Sequence, residues 1–358
     1  MLKIACQFKP NGEYYRHLGF ANAFQSCGHR FVFWNKDQKP LIDLFDEFKP
    51  DIFIGTTFDL DRSMIEAIKL HPEIKIVLKG GNWGNADEHI DRDTYPILFV
   101  SDKEKILLEK LKKETGKPDF VFCHYHPNQV HDTMGLWQSI GIEPLGIANA
   151  ADIILNSLGN KRPELESDIA FVGGYWGYKS VNLDKYIVPL CAPTSKLKVK
   201  VFGNQKWSVP QYCGLIQDGD LKDLYRSAKI CPNVSEPHSN KFGFDVVERP
   251  FKILSAGGFL LMDRVKSFEN DMFDKGEIVC YDDQQDYYEK ISYFLKHPEQ
   301  RHNNEAIERV YQEHTYHHRM AYLLNKLEFT TEAKELITCL TNLSQYRQSC
   351  PQKTGPLN

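Results

Sequence analysis

Residues Glu248 to Asp263, ERPFKILSAGGFLLMD, constrain the fold more tightly than any other stretch of the chain. Pro250 falls where a first helical turn tolerates a missing N–H, and Gly257-Gly258 falls where a helix has to stop. The run that follows, Phe259, Leu260, Leu261 and Met262, has the length of a strand and no polar face, the pattern of a strand covered on both sides in a parallel α/β sheet. The start of such a helix offers unpaired N–H groups and a partial positive charge to whatever lies in front of it. Arg249 and Lys252 are three apart and share a face there, so a phosphate at this corner would meet two cations as well as backbone donors. The plainer alternative is an ion pair between Glu248 and Lys252 at the favourable i, i+4 spacing on a solvated face.

The rest of the chain repeats the same grammar. Strand patterns at Leu2–Phe8, RFVFWN, DIFIGTTF, IKIVLKG, PILFVSD and DFVFCHY alternate with helical patterns ending near Cys27 and covering 41–48, 62–70 and 103–114. That rhythm predicts βαβ units. No GxGxxG follows the first strand, so a dinucleotide fingerprint is absent, and Gly81-Asn82-Trp83-Gly84 reads as a turn. Ile142 to Arg162 carries small and turn residues and is read as a passage between domains, with a boundary near 160. DIAFVGG then restarts the alternation, followed by a helix near 181–190, LKVKVFGN, LKDLYRSA, AKICPNVS, the segment described above, EIVCYDD, a helix over 284–296 and a helical run through HTYHHRMAYLLNKL. A chain of 358 residues exceeds the usual size of one hydrophobic core. The prediction is two doubly wound, Rossmann-like domains facing one another across a cleft, with ligands at the carboxyl ends of the strands. The tail beyond about 346 is polar and rich in turn residues and is read as frayed.

Charge and cysteine usage exclude several classes. A net charge of −4 argues against broad attraction to nucleic acid. Nine cysteines, an odd count with no CxxC pair, disfavour a disulfide framework or a zinc module and point to a reducing cytoplasm. The opening MLKIACQF is a strand pattern rather than a signal peptide, and no apolar run approaches the roughly 18 residues of a membrane span.

ERPFKILSAGGFLLMD, together with CPNVSEPHSNKFGFDVV before it and HTYHHR after it, resembles the C-terminal half of CgeB-like glycosyltransferases. The resemblance covers about residues 165 to 325. It implies a metal-independent GT-B enzyme that moves a sugar, hexosyl or pentosyl, from a nucleoside-diphosphate sugar to an acceptor hydroxyl, with no other cofactor. On this reading residues 1–160 form the acceptor-side domain, 161–328 the donor domain, and 329–358 a terminal helix and tail packing back on the first domain. Arg249, Phe251, Gly257, Gly258 and Phe259 fit the family pattern, but Lys252 stands where the family has an acid that holds the donor's ribose. Either Glu248 takes that task or Lys252 makes a second phosphate contact.

The same implication distributes the remaining donor contacts. Gly173 and Gly174 would let backbone approach the ligand. Tyr175 and Trp176 would stack on a base or sugar ring, or else pack along the cleft. Lys206 would add a cation, or stand as a solvated loop lysine. Asn233, Ser235 and Asn240 lie where diphosphate oxygens are expected, although these residue types also favour turns. A base for an inverting reaction is sought on the N-terminal side, at Glu13 and His17, four apart at a helix start, or at Asp102; helix capping accounts for the two acids equally well. The Asp59-x-Asp61 and Asp91-x-Asp93 pairs are read as helix-start acids, and His314 to His318 as a structural element without zinc. The acceptor is left open among glycan, lipid, protein and modified nucleic acid. A nucleotide-sugar epimerase of the same architecture and a non-catalytic sugar-nucleotide binder are the alternatives. Arg249→Ala or Lys252→Ala is expected to abolish donor binding with thermal unfolding nearly unchanged.

Overall fold

Short runs apolar on both faces become two parallel sheets. The computed structural model describes residues 1–10, 12–84, 91, 93–95 and 98–348, the side chains of 12, 13 and 344–348 excepted. The first half comprises β1 (Lys3–Gln7), α1 (Gly12–Ser26), β2 (Arg30–Trp34), α2 (Leu41–Phe48), β3 (Ile52–Thr56), α3 (Arg62–Leu70), β4 (Lys75–Lys79), α4 (Asp102–Thr115), β5 (Phe120–Cys123), α5 (Val130–Met134) and β6 (Glu143–Gly146). The second comprises β7 (Ser167–Val172), α6 (Gly177–Tyr186), β8 (Val199–Phe202), α7 (Asp218–Ser227), β9 (Ala228–Pro232), α8 (Pro237–Phe242), α9 (Arg249–Ser255), β10 (Leu260–Asp263), β11 (Val279–Tyr281), α10 (Gln284–Lys296) and α11 (Asn304–Glu313). Two further helices, α12 (Tyr316–Lys326) and α13 (Thr330–Gln348), follow. Among the described residues no helix is long and apolar enough to cross a membrane.

All pairings in both sheets are parallel. The orders are β2-β1-β3-β4-β5-β6 and β11-β10-β9-β7-β8. Each sheet is sandwiched, as its two-faced apolar strands require. Phe53, Ile76, Leu78 and Val121 face one core with Ile65, Ile68, Leu108 and Leu111, while Ile4, Ile54, Val77 and Phe122 face another with Phe20, Phe24, Met320, Leu324 and Leu336. Thus α12 and α13 help to cover the first sheet. The second sheet is covered likewise, by Leu224, Phe251 and Val310 on one face and by Leu183, Tyr287 and Ile291 on the other.

Two stretches differ from their sequence patterns. PILFVSD adds no strand: Phe99 makes one isolated bridge to Asn82, and Pro96 and Ile97 lie outside the described residues. The sixth position is taken instead by Glu143–Gly146, the start of the Ile142–Arg162 stretch read from its small and turn residues as a passage between domains. β6 is an edge strand, where the missing N–H of Pro144 costs nothing.

The chain crosses between the halves twice, and the crossings touch. Ala151 N donates to His314 O at 2.8 Å and Tyr316 N donates to Ala151 O at 3.0 Å, while Arg319 Nε donates to Ala148 O at 3.0 Å. Aromatic pairs also join the halves, with Tyr95 against Phe242 at 5.2 Å and Tyr125 against Phe244 at 4.9 Å between ring centres.

Candidate active site

In the second sheet β7 is flanked by β8 and β9, its successors in the chain, so the strand order reverses between β7 and β9. A crevice opens at the carboxyl ends of such neighbours, and open α/β sheets take their ligands there. The Arg249 guanidinium spans it. Nε donates to Val172 O at the end of β7 at 2.7 Å, and Nη1 donates to Asn233 Oδ1 at 2.7 Å and Val234 O at 3.3 Å, just past β9. The group lies 4.6 Å from the Phe171 ring centre. Among the described residues Nη2 has no hydrogen-bond acceptor, and it sits 2.9 Å from where a Cβ at Gly173 would be, so a side chain at 173 would collide with it.

Asp263, at the end of the apolar run in β10, holds this arrangement from behind. Its carboxylate accepts from Asn233 Nδ2 at 2.7 Å, Ser235 N at 2.7 Å, Ser235 Oγ at 3.1 Å and Asn240 Nδ2 at 2.8 Å. A buried network with its donors and acceptors matched is rigid, and it leaves Arg249 few alternatives. Asn233 thus holds Arg249 directly, Ser235 and Asn240 bond the Asp263 carboxylate behind it, and none of the three lines the cavity described below.

A second cation comes from an unexpected place. Lys179, in the first turn of α6, is 4% exposed and lies 3.5 Å from Glu236 Oε1. Burial first, and then the charge of Arg249, lowers its pKa to about 8, with Glu236 working the other way. Burial also lowers the pKa of Arg249. Glu236 offsets only part of the cost of desolvating two cations that feel one another's charge, and such perturbed groups in a cleft mark functional sites.

Both line a cavity of about 300 Å³, at the lower end of the range for ligand pockets. Gly173, Gly174, Gly203 and Asn204 form its floor, Leu215, Ile216, Leu221 and Tyr225 an apolar wall, and Tyr15 and Arg16 of α1 reach in from the other half. Gly203 is required where the two loops meet: a Cβ there would lie 2.3 Å from Gly173 O. Glu248 and Lys252 line the cavity as well, and they are paired, Nζ to Oε2 at 2.7 Å, with Tyr316 Oη donating to Glu248 Oε1 at 2.8 Å. Lys252 lies 4.9 Å from the Tyr15 ring centre. Asp152 completes that corner, its pKa raised by burial foremost and also by the charge of Glu248.

Of the remaining sequence candidates, Gly173 and Gly174 are in the cavity and the others are not. Tyr175 donates to Asp184 at 2.7 Å and packs on Trp207, Trp176 packs on Tyr178, and Lys206 is exposed. Gly257 (φ +77°) ends α9, where a Cβ would meet Leu158 at 2.7 Å. α9 spans seven residues, too short for its N-terminus to make a site of its own, so the corner is defined by the Arg249 side chain. His17 is fully buried against Phe20, on the face of α1 turned away from its neighbour Arg16 in the cavity. Asp102 is 92% exposed and pairs with Lys105; the cap of α4 is Ser101, in a capping box with Glu104. The side chain of Glu13 lies outside the described residues. Asp61 caps α3, Asp59 pairs with Lys9, and Asp91 accepts from Asp93 N. His314 Nε2 donates to Met272 O at 2.6 Å and Nδ1 accepts from Arg319 Nη2 at 3.0 Å, and burial and the charge of Arg319 lower its pKa to about 3.

Sequence reasoning missed Lys179, Arg16 and Asp263. Asp263 carried a signal, as an acid closing an otherwise apolar strand. Lys179 carried one as well, since a helix that follows the first strand of a doubly wound domain starts at the crevice.

Residues 187–325 match the family model described as glycosyl transferase-like. No curated protein matches the chain in sequence. Among solved structures, an alpha-glucosyltransferase in complex with UDP and a 13-mer DNA containing a HMU base superposes with a TM-score of 0.62 at 12% identity, over 91% of this chain and 99% of the other. Sucrose-phosphate synthase from Thermosynechococcus elongatus gives 0.60 at 9% identity, over 94% and 100%. The Anabaena protein HepE in complex with UDP and glucose gives 0.51 at 10% identity, over 98% and 100%. At such identities the likeness is one of fold, and the fold is GT-B.

Proposed function

We propose that the chain transfers a sugar from a nucleoside-diphosphate sugar to an acceptor hydroxyl, without a metal, as its resemblance to CgeB-like glycosyltransferases implies. The observation that carries this reading is the convergence of Arg249 and Lys179, two buried cations, on one glycine-floored crevice between β7 and β9. Arg249 Nη2 and Lys179 Nζ take diphosphate oxygens. Leu215, Ile216 and Leu221 cover the nucleoside, and Glu248, steadied by Lys252 and Tyr316, accepts from the ribose. As the sugar departs, negative charge grows on the phosphate it leaves. Arg249, already fixed by Val172 and by Asn233 on Asp263, meets that charge without reorganising, which is where preorganised electrostatics lower a barrier most.

In this proposal residues 161–328 carry the donor and residues 1–160 the acceptor, with Tyr15 and Arg16 brought up to the donor when the cleft narrows. Narrowing excludes the water that would otherwise intercept the sugar. The cytoplasm is the proposed compartment, from the cysteine usage. UDP is the nucleotide to test first, because UDP occupies the solved glucosyltransferase and HepE. A ligand that binds only the folded state raises its melting temperature. UDP-sugars, and GDP-, dTDP- and CMP-sugars after them, are therefore screened by thermal shift, and hits are incubated without acceptor. Slow release of free sugar supports transfer; a sugar changed while still attached to its nucleotide shows an epimerase; no shift with any of them sinks the proposal.

A further inference from the structure

Three elements that share no sequence motif bring metal-ligating side chains together on the first half. Cys27 follows the end of α1, His317 lies in the first turn of α12, and Cys339 lies in α13; their ligand atoms all fall within 4.8 Å of one another. Ser26 Oγ is 2.9 Å from His317 Nε2, and Cys339 Sγ is 3.3 Å from Ser26 O, so the group is tied together at one point of the three-helix junction. His317 is buried, whereas Cys27 and Cys339 are partly exposed, which leaves a path for an ion. Glu335 stands one helical turn before Cys339, on the same face of α13, and its charge is felt at Cys27.

We propose that Cys27, His317 and Cys339 form a structural site for a zinc-like divalent ion, with Glu335 or water as the fourth ligand. Two sulfurs and an imidazole are a ligand set of structural and catalytic zinc sites alike. Tetrahedral zinc holds its ligand atoms about 3.5 Å apart, given bonds of roughly 2.0 to 2.3 Å, so an ion would draw together atoms that now lie within 4.8 Å of one another. The nine cysteines argue against a zinc module only if ligands have to cluster in sequence; these do so only after the chain has returned to its first half. An ion there would tie α1, α12 and α13 together. It would take no part in sugar transfer, since Cys27 is eleven positions beyond Arg16, roughly 17 Å along the helix at 1.5 Å per residue.

The test uses the full chain, purified with reductant, stripped with chelator and titrated with Co²⁺. One equivalent is expected to give a thiolate-to-cobalt charge-transfer band and the visible bands of a tetrahedral ion, both removed by zinc, together with a higher melting temperature. Cys27→Ser, Cys339→Ser and His317→Gln should each weaken cobalt binding by more than the roughly 100-fold that loss of an outer partner alone can cost, with UDP binding unchanged. A chain that shows no such bands, bands that persist in the Cys27→Ser/Cys339→Ser double variant, or a Cys27–Cys339 disulfide found after thiol blocking at lysis would each overturn the proposal.

Discussion

Lys179 ties stability, pH and ligand binding into one measurement. Its pKa is lowered from 10.5 to about 8 by burial and by Arg249. Between those pH values the unfolded chain keeps the lysine proton and the folded chain has released it, so raising the pH favours the folded state. At 1.36 kcal/mol per pH unit, the interval adds about 3 kcal/mol to the stability of the parent chain. Lys179→Met has no proton to lose. Urea unfolding of both proteins from pH 6.5 to 10.5 should therefore show a stability difference that is flat below pH 8 and then moves by about 3 kcal/mol in favour of the parent chain. Subtraction cancels the groups that titrate independently of Lys179. A bound diphosphate stabilises the ammonium and reverses the trend. Nucleotide affinity of the parent chain, by calorimetry, should be level below pH 8 and fall toward about tenfold per pH unit above it. A stability difference that ignores pH, or a nucleotide affinity as strong at pH 9.5 as at 7, would refute the argument that a desolvated lysine waits there for an anion.

Arg249→Ala should abolish nucleotide binding and, contrary to the expectation from sequence, should also destabilise the fold by about 3 kcal/mol or more in chemical denaturation, because Val172 O, Val234 O and Asn233 Oδ1 lose their donor. Lys252→Glu sets a second acid one turn from Glu248; adding Glu248→Gln should recover stability, with a coupling of about 1 kcal/mol or more in a thermal double-mutant cycle. Gly19→Ala places a Cβ 2.1 Å from Tyr316 Cδ2. It should cost about 1–3 kcal/mol by overpacking and weaken nucleotide binding through Glu248, whereas Tyr316→Phe should lose only about 1 kcal/mol for one hydrogen bond.

What was legible in the sequence is what local physics decides. Strands apolar on both faces announce a parallel sheet, so β1, β3, β4, β7 and β10 could be placed from their own residues. β6 could not, because Pro144 forbids an interior strand and nothing local says that the position is an edge. The site divides along the same line. Arg249 was identifiable from its place before the glycine break, but its companion was sought in Lys252, its neighbour in sequence. Lys252 is paired with Glu248, and Lys179, the buried cation that shares the cavity with Arg249, is seventy positions before it, brought close because β7 and β9 are adjacent. Strand order decided the pairing, and no short window contains it. His17 shows the local limit at its smallest: one step beyond Arg16 turns a side chain by about 100° on a helix, from the cavity into the core.

The paired crossings at Ala151 and Thr315 have a mechanical consequence. A single tether would let the halves swivel freely; two straps bonded edge to edge leave one line about which to fold and resist shear along it. Any opening of the cleft would then follow a book on its spine, parting Arg16 from Arg249 along one arc and breaking the Tyr95–Phe242 and Tyr125–Phe244 contacts as it went. A nick at the exposed Asn160-Lys161 would leave the covers bound, since the second strap still joins them.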